Sequence, residues 1–411
     1  MYACVPFKSC SLFGALRYFS NINNAVILVH GPSGCTFFSR YAMIRLNGYY
    51  NSPYPVPVPK IYCTDFSEND VIFGGREKLC KALTEIMDVH SPDVVFVMNC
   101  CVSEVIGEDI DDVASEYADG YHIPVIPVHS AGFKGDHKYG MKMASEILFE
   151  KFMTKKLPTQ KGRINILGDL DYFNHTSKEL IAVLNEVGVT DIRLVPGNCT
   201  LDEIRQCTSA ELNIITCGNA SRHLAELLKN KYGIPYMGNN ADMFGIENTY
   251  HMYCKLFDFL GIDKAILVQK RKDATAAVEA YLPFFQGKSA AIVSGTRRAM
   301  GYAKVFQELG IEVKFIFSEC DNEYVQKNEF MQYSKNLCVN EYPLDLLERI
   351  ENLNPDFIMS TLSELIAPYQ YISRTDDDFV GFSGVVRMAE YLKGKYIEGE
   401  KLFVRILDGK S

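Results

Sequence analysis

No stretch of this chain is apolar for long enough to cross a bilayer. The longest runs, Ala25–Val29 and Val94–Met98 among them, fall far short of the ~20 residues a spanning helix needs. The start, Met1-Tyr-Ala-Cys-Val-Pro6, lacks the basic stretch and apolar run of a secretory leader. The expectation is a cytoplasmic protein with no membrane partner. Excess positive charge is missing too: 42 basic side chains face 51 acidic ones, for a net charge of −9. A nucleic-acid partner needs a basic footprint and is excluded on that ground, although a local patch could still dock an acidic protein. The chain has no Gly-x-x-x-x-Gly-Lys-Ser/Thr phosphate loop, so any ATP in its chemistry belongs to a partner. It has no Cys-x-x-Cys pair either, which excludes compact ferredoxin-type and zinc-type patterns. Tryptophan is absent, and that excludes nothing.

What the chain does have is cysteine. Thirteen thiols in a compartment that keeps them reduced point to metal binding or buried side chains, not to a disulfide framework. With 411 residues the chain has room for two to three domains of roughly 150 residues and for an ample core.

Short β-branched runs alternate with amphipathic helical patterns, the signature of parallel α/β units. Asn24–His30, Asp93–Met98 and Ile123–Val128 read as strands, and Arg76–Val89 as a helix with Leu79, Leu83, Ile86 and Met87 on one face. Lys155–Gly162 is polar, carries a proline and reads as a linker. Beyond it the strands are Arg163–Gly168, Ile192–Val195 and Leu212–Cys217, with helices at Ser177–Val187 and Ala220–Lys231. Gln286–Ser289 marks a second boundary. It is followed by strands Ala290–Ser294, Val313–Phe317 and Asp356–Ser360 and a helix over Arg297–Leu309. The expected fold is α/β, with three doubly wound Rossmann-like domains and mainly parallel sheets, spanning 1–160, 161–286 and 287–411. In such folds ligands sit beyond the carboxyl ends of the strands.

Cysteines occupy those ends. Cys35 follows the first strand in Gly31-Pro-Ser-Gly-Cys35, Cys101 follows the second, Cys217 closes Leu212–Cys217, and Cys10 lies upstream in Lys8-Ser-Cys-Ser-Leu-Phe-Gly14. Glycines beside Cys35 let backbone approach a bulky inorganic ligand, and thiolate is the natural ligand of iron–sulfur clusters. Cys10, Cys35 and Cys101 are 25 and 66 residues apart, so spacing alone does not mark a cluster. A strand-end cysteine taken singly is most often a small buried hydrophobe.

Three ordered motifs carry a resemblance. They are His30-Gly-Pro-Ser-Gly-Cys35, Thr64-Asp-Phe-Ser-Glu-Asn-Asp-Val-Ile-Phe-Gly-Gly75 and Cys101-Val-Ser-Glu-Val-Ile-Gly-Glu-Asp-Ile110. Together they resemble the nitrogenase component 1 superfamily. The resemblance implies that Cys10, Cys35 and Cys101 bind an iron–sulfur cluster, [4Fe–4S] or P-cluster-like, at an interface where two homologous subunits pool ligands. It further implies a second iron–sulfur-based cofactor near Cys217, in a pocket lined by Gly132, Gly135, Gly295 and Arg297. Gly132-Phe-Lys-Gly135, Ser294-Gly-Thr-Arg297, Cys217-Gly-Asn-Ala-Ser-Arg-His-Leu224 and Gly381-Phe-Ser-Gly384 extend the likeness.

The partners implied are a homologous component 1 subunit and an ATP-dependent iron-protein reductase. The function implied is a nitrogenase-like oxidoreductase subunit for a multi-electron reduction. The alternative is a scaffold for assembling the iron–molybdenum cofactor. The pattern departs from active nitrogenase α chains at Val380, which stands where the cofactor histidine belongs. It departs again at Met141, near the place of a proton-relay histidine. Dinitrogen reduction is therefore not expected. Cys100 is expected to face away from Cys101, because neighbours on a strand point to opposite faces. His30 reads as a turn-stabilising partner and the run Asp376–Asp378 as a solvated loop. Cys4 and Cys63 read as filler or a spare ligand, and Cys80, Cys199, Cys207, Cys254, Cys320 and Cys338 read as structural.

Overall fold

The computed structural model of the chain describes residues 9–46, 59–170, 177–239, 241–319, 327–339, 346–360 and 379–407. Cys4, Cys320 and Asp376–Asp378 lie outside them. Twelve strands among the described residues form three four-stranded sheets. The first contains β1 (Ala25–His30), β2 (Lys60–Cys63), β3 (Val94–Asn99) and β4 (Val125–Val128) in the order β2-β1-β3-β4. The second contains β5 (Ile164–Leu167), β6 (Ile192–Val195), β7 (Leu212–Ile215) and β8 (Tyr236–Met237) in the order β6-β5-β7-β8. The third contains β9 (Ser289–Gly295), β10 (Glu312–Glu319), β11 (Leu337–Val339) and β12 (Phe357–Ser360) in the order β11-β10-β9-β12.

The pairing is parallel, as for β1 with β3 (Ala25 opposite Val94 through His30 opposite Asn99) and β5 with β7 (Ile164 opposite Leu212). This is the α/β architecture the alternating pattern predicts. β2, β8 and β11 were not foreseen, being too short or too polar to stand out. In each sheet the chain leaves the first strand to one side and later returns to the other. The crevice at this reversal opens between β1 and β3, between β5 and β7, and between β9 and β12.

The first sheet is buried on both faces, so its central strands are apolar throughout. Val26, Leu28, Val95 and Val97 pack with Leu79, Leu83, Ile86 and Val113 of the helices Arg76–His90 and Ile110–Tyr121. Ile27, Val29, Phe96 and Met98 face the other way. They share one core with Leu167, Val195 and Ile215 of the second sheet and with the helices Ser11–Phe19, His137–Phe152 and Gly218–Tyr232. The third sheet packs Ala291, Val293, Phe315 and Phe317 under the helix Leu346–Leu353.

The chain divides into two compact units, one from residues 8–174 and 189–236, the other from residues 175–188 and 237–411. The excursion of 175–188 has a local cause. Glu179, on the helix Lys178–Glu186, accepts hydrogen bonds from Phe382 N (2.5 Å) and Ser383 N (3.0 Å), capping the helix Phe382–Leu407. A carboxylate at a helix N-terminus satisfies orphan donors and meets the positive end of the dipole. Gly381-Phe-Ser-Gly384 is thus at least a capping motif. Glu179→Ala should lower stability by about 2 kcal/mol, the scale of hydrogen bonds to a charged group. Chemical denaturation would read this as an earlier loss of C-terminal helix signal. An unchanged midpoint would show that the cap contributes nothing.

Among the described residues, no helix is long and apolar enough to cross a membrane.

Candidate functional site

The reversal point of the first sheet is where the cysteines gather. β1 runs through Gly31-Pro32 into the helix Ser33–Leu46, whose third residue is Cys35. β3 ends at Asn99, Cys100 caps the helix Cys101–Val105, and Cys101 is its first residue. Cys10 is the N-cap of the helix Ser11–Phe19. These thiols therefore sit at helix N-termini, beside backbone N–H groups that have no partner within the helix.

Cys10 is brought there by backbone pairing. It bridges Asp136, His137 N donates to Ser9 O (2.8 Å), and Ser11 N donates to Gly135 O (2.9 Å). The Ser11 hydroxyl reaches Ser130 O and Ala131 O, each at 2.7 Å. The loop so gripped carries Gly132, which sits against two sulfurs. A Cβ on Gly132 would lie 3.2 Å from Cys101 Sγ and 3.4 Å from Cys10 Sγ. Gly132 N donates to Cys101 Sγ at 3.1 Å. Cys10 and Cys101 are exposed and Cys35 is half-buried. Electrostatically, Cys35 feels Cys100, Cys101 and Cys10.

Cys100 is buried and Cys101 exposed, the expected opposition, but strand alternation is not its cause, because the strand ends one residue before Cys100. Its sulfur turns inward against Gly31, and the Cys35 thiol is its main electrostatic neighbour. The Cys100 thiol, with burial, pushes the Cys35 thiol far up. The Cys35 thiol, with backbone and hydroxyl donors at Ser103, draws Cys100 down to about 6 against the effect of burial.

Behind the thiols the three motifs interlock. His30 is fully buried, with Nδ1 on Thr64 Oγ1 (3.2 Å) and Nε2 on Glu108 Oε2 (3.1 Å). Thr64 Oγ1 also accepts from Gly31 N (3.0 Å), and Glu108 Oε1 accepts from Gly75 N (2.6 Å). Phe66 packs edge-on against the imidazole. Burial lowers the His30 pKa despite the carboxylate beside it. Both ring nitrogens are engaged, which is the turn-stabilising role. On the surface, His129 lies between Glu104 (3.3 Å) and Asp111 (2.8 Å), and Lys134 pairs with Glu104. Glu104 is held below the usual carboxylate range: burial opposes this, but bonds to Lys134, Asn99 and His129 prevail. Sequence reasoning missed Glu104, whose partners Lys134, Asn99 and His129 are distant or unmarked in the sequence.

At the second sheet, Cys217 does not close a strand. β7 stops at Ile215, Thr216 N turns to Leu167 O (3.0 Å), and Cys217 caps the helix Gly218–Tyr232. It is half-buried and lies over Gly168, at the β5/β7 reversal. His223, on the same helix, bonds Glu146 at 2.7 Å. In the other unit, Gly295 ends β9 and Arg297 is the second residue of the helix Thr296–Glu308, its guanidinium over the Phe244 ring. Val380 and Met141 are both buried. Cys199, Cys207 and Cys338 are buried, Cys63 and Cys80 pack against core, and Cys254 is half-buried.

Among the described residues, no three His, Cys, Asp or Glu side chains stand close enough to hold a single metal ion. A polynuclear cluster differs, because its thiolate ligands sit on separate irons and stand farther apart. Thiols on three helix ends, with a backbone N–H aimed at one sulfur, fit that chemistry. Thr36 Oγ1, next to Cys35, is buried and finds no hydrogen-bond partner among the described residues.

The sequence profile of nitrogenase component 1 type oxidoreductases matches residues 10–394. The chain is 32% identical over 322 residues to the nitrogenase iron-molybdenum cofactor biosynthesis protein NifE of Clostridium pasteurianum, covering 75% of this chain and 68% of that protein. It is 29% identical to NifE of Methanosarcina barkeri, covering 93% of this chain and 87% of that one. Likeness to the nitrogenase molybdenum-iron protein alpha chain of Methanothermobacter marburgensis is 26%, over 94% and 87% of the two chains. Among solved structures, one described as nitrogenase Cp1 at pH 6.5 superposes with a TM-score of 0.81. It covers 98% of this chain and 91% of that one at 19% identity, a likeness of fold. With the motif residues of the first sheet interlocked and the fold shared along nearly its whole length, the chain belongs to the nitrogenase component 1 type oxidoreductase family.

Proposed function

We propose that this chain is a component 1 subunit that holds an iron–sulfur cluster through Cys10, Cys35 and Cys101 and acts as an assembly scaffold for an iron–sulfur-based cofactor. The observation that carries the first half is the meeting of Cys10 and Cys101 at Gly132, with Cys35 in electrostatic reach. The scaffold half is supported by relatives named for cofactor biosynthesis and by the buried valine at position 380. The oxidoreductase reading stands second, supported by likeness to a molybdenum-iron protein alpha chain.

Bound there, a cluster would supply one-electron storage. The chain's part is to present three thiolates and to steady the Cys101 sulfur with Gly132 N–H. Exposed apolar side chains flank the cysteines in the chain: Phe37 and Phe38 after Cys35 on its helix, Val105 after Cys101, and Phe133 after Gly132. Such a patch suits a homologous subunit seated over the cysteines. An ATP-dependent iron-protein reductase is the electron donor in this reading. A second cofactor would use Cys217.

Anaerobic purification with iron and acid-labile sulfide analysis and EPR tests the cluster. Cys101→Ala should lose most of the bound iron and the EPR signal; wild-type iron content in this variant would reject Cys101 as a ligand. Mixing the loaded protein with reductase and ATP separates the two roles. A scaffold passes iron and sulfide to an acceptor component and otherwise stops, whereas sustained electron consumption without an acceptor would reject the scaffold.

A further inference from the structure

The loop that carries Gly132 is tied down from two sides. On one side stands the Cys10 helix: the Ser11 hydroxyl holds Ser130 O and Ala131 O, and Ser11 N holds Gly135 O. On the other stands the helix Cys101–Val105, and there Glu104, its fourth residue, collects the bonds. Glu104 Oε1 pairs with Lys134 Nζ. Its Oε2 lies 3.3 Å from His129 Nδ1 and accepts from Asn99 Nδ2 at 3.2 Å. His129 stands three residues before Gly132 and Lys134 two residues after it, so Glu104 grips the loop on both flanks. Between these anchors Gly132 N donates to Cys101 Sγ at 3.1 Å. Cys101 and Glu104 are three apart on one helix and share a face, so fixing Glu104 against the loop also fixes the sulfur against the amide. The side chains of Lys134 and Glu104 are 29% and 18% exposed, and water screens their attraction only in part.

We propose that Glu104 is a positioning residue: through Lys134 and His129 it holds the Gly132 amide on the Cys101 sulfur, and so sets how readily that ligand carries added negative charge. The clamp is a property of the chain alone, whereas its consequence for reduction rests on the cluster reading above. A hydrogen bond to a cluster thiolate stabilises the more negative, reduced state and raises the potential. A carboxylate acts in the opposite sense through space, because its charge opposes an added electron. The two roles of Glu104 therefore give shifts of opposite sign when the side chain is removed. Removing Lys134 with it cancels the change in net charge and leaves the positioning role alone.

The test uses the full chain, with the charge-neutral double variant Glu104→Ala/Lys134→Ala and the conservative Lys134→Arg. In iron-free protein, hydrogen–deuterium exchange is read at the Gly132 amide by mass spectrometry with fragmentation. Exchange should quicken about fivefold in the double variant, the scale of one neutral hydrogen bond, and keep the wild-type rate in Lys134→Arg. Lys134→Met keeps the apolar stem and loses only the charge, and exchange should quicken there too. In iron-loaded protein, an EPR-monitored redox titration should give a lower potential for the double variant and a wild-type potential for Lys134→Arg. Lys81→Ala/Glu85→Ala deletes an exposed pair on the helix Arg76–His90 and is the control, in which neither readout should move. Unchanged exchange at Gly132 in the double variant and in Lys134→Met would overturn the clamp. Faster exchange with an unchanged or higher potential would overturn its consequence for reduction. If wild type binds no iron the cluster reading fails, and the exchange measurement still decides the clamp.

Discussion

Replacing Gly140 by alanine should destabilise the fold by about 3 kcal/mol, the upper end of the cost of overpacking. A Cβ at Gly140 would drive into the carbonyl of Ser11, and one at Gly14 into the carbonyl of His137. Both obstacles are backbone, so no side-chain rotation relieves them, and the helices Ser11–Phe19 and His137–Phe152 must separate. Separation stretches the Ser9–His137 and Ser11–Gly135 hydrogen bonds, which set Cys10 against Gly132. Iron content should therefore fall along with stability, although neither glycine touches a sulfur.

Gly120→Ala is the control. It lies on the helix Ile110–Tyr121 with open space where its Cβ would go. Helix propensity alone should there raise stability by about 0.8 kcal/mol. The same substitution thus carries opposite signs at two helical positions. Urea unfolding of both variants, with iron analysis, checks this. A Gly140→Ala protein as stable as wild type would show that the close helix crossing is not required.

The second large effect belongs to Glu108. Its removal leaves His30 Nε2 and Gly75 N without their acceptor in the interior. An unsatisfied buried group costs roughly 1–3 kcal/mol, so Glu108→Ala should lose about 3 kcal/mol over the two. Glu108→Gln, which keeps one acceptor oxygen, should recover part of it. His30 adds a pH signature. Its pKa in the folded chain lies below the ordinary 6.5, chiefly through burial. In the window between the two values the unfolded chain binds more protons than the folded one. Stability should therefore rise with pH through that window and level off above about 6.5. On acidification below about 6.5 wild type should lose stability, and His30→Gln should show a shallower slope. An identical slope in both proteins would remove His30 as its source.

The limits of legibility follow from the kind of information each feature needs. Strands such as Ile192–Val195 and the helix starting at Arg76 were readable because their signals are local: apolar runs and periodic faces within a dozen residues. The ends were less so. Cys217 read as the last strand residue because the apolar pair Ile214-Ile215 leads up to it, whereas pairing with β5 finishes at Ile215. β2 is short and exposes alternate residues, and only parallel pairing with β1 (Val29 opposite Cys63) makes it a strand.

By itself the sequence determined the alternation of strands and helices, the parallel α/β class and the positions of cysteines at strand-to-helix junctions. These follow from local sterics, periodic burial and residue type. Only the tertiary structure decided that Cys10 and Cys101 share Gly132, that the Cys100 sulfur packs on Gly31, and that Glu108 joins His30 to Gly75. These contacts link residues 31 to 122 positions apart, and no local preference encodes them. They form because burying both faces of one sheet brings the carboxyl ends of β1 and β3 side by side, and two glycines let the helix behind Cys10 approach the loop that completes the group.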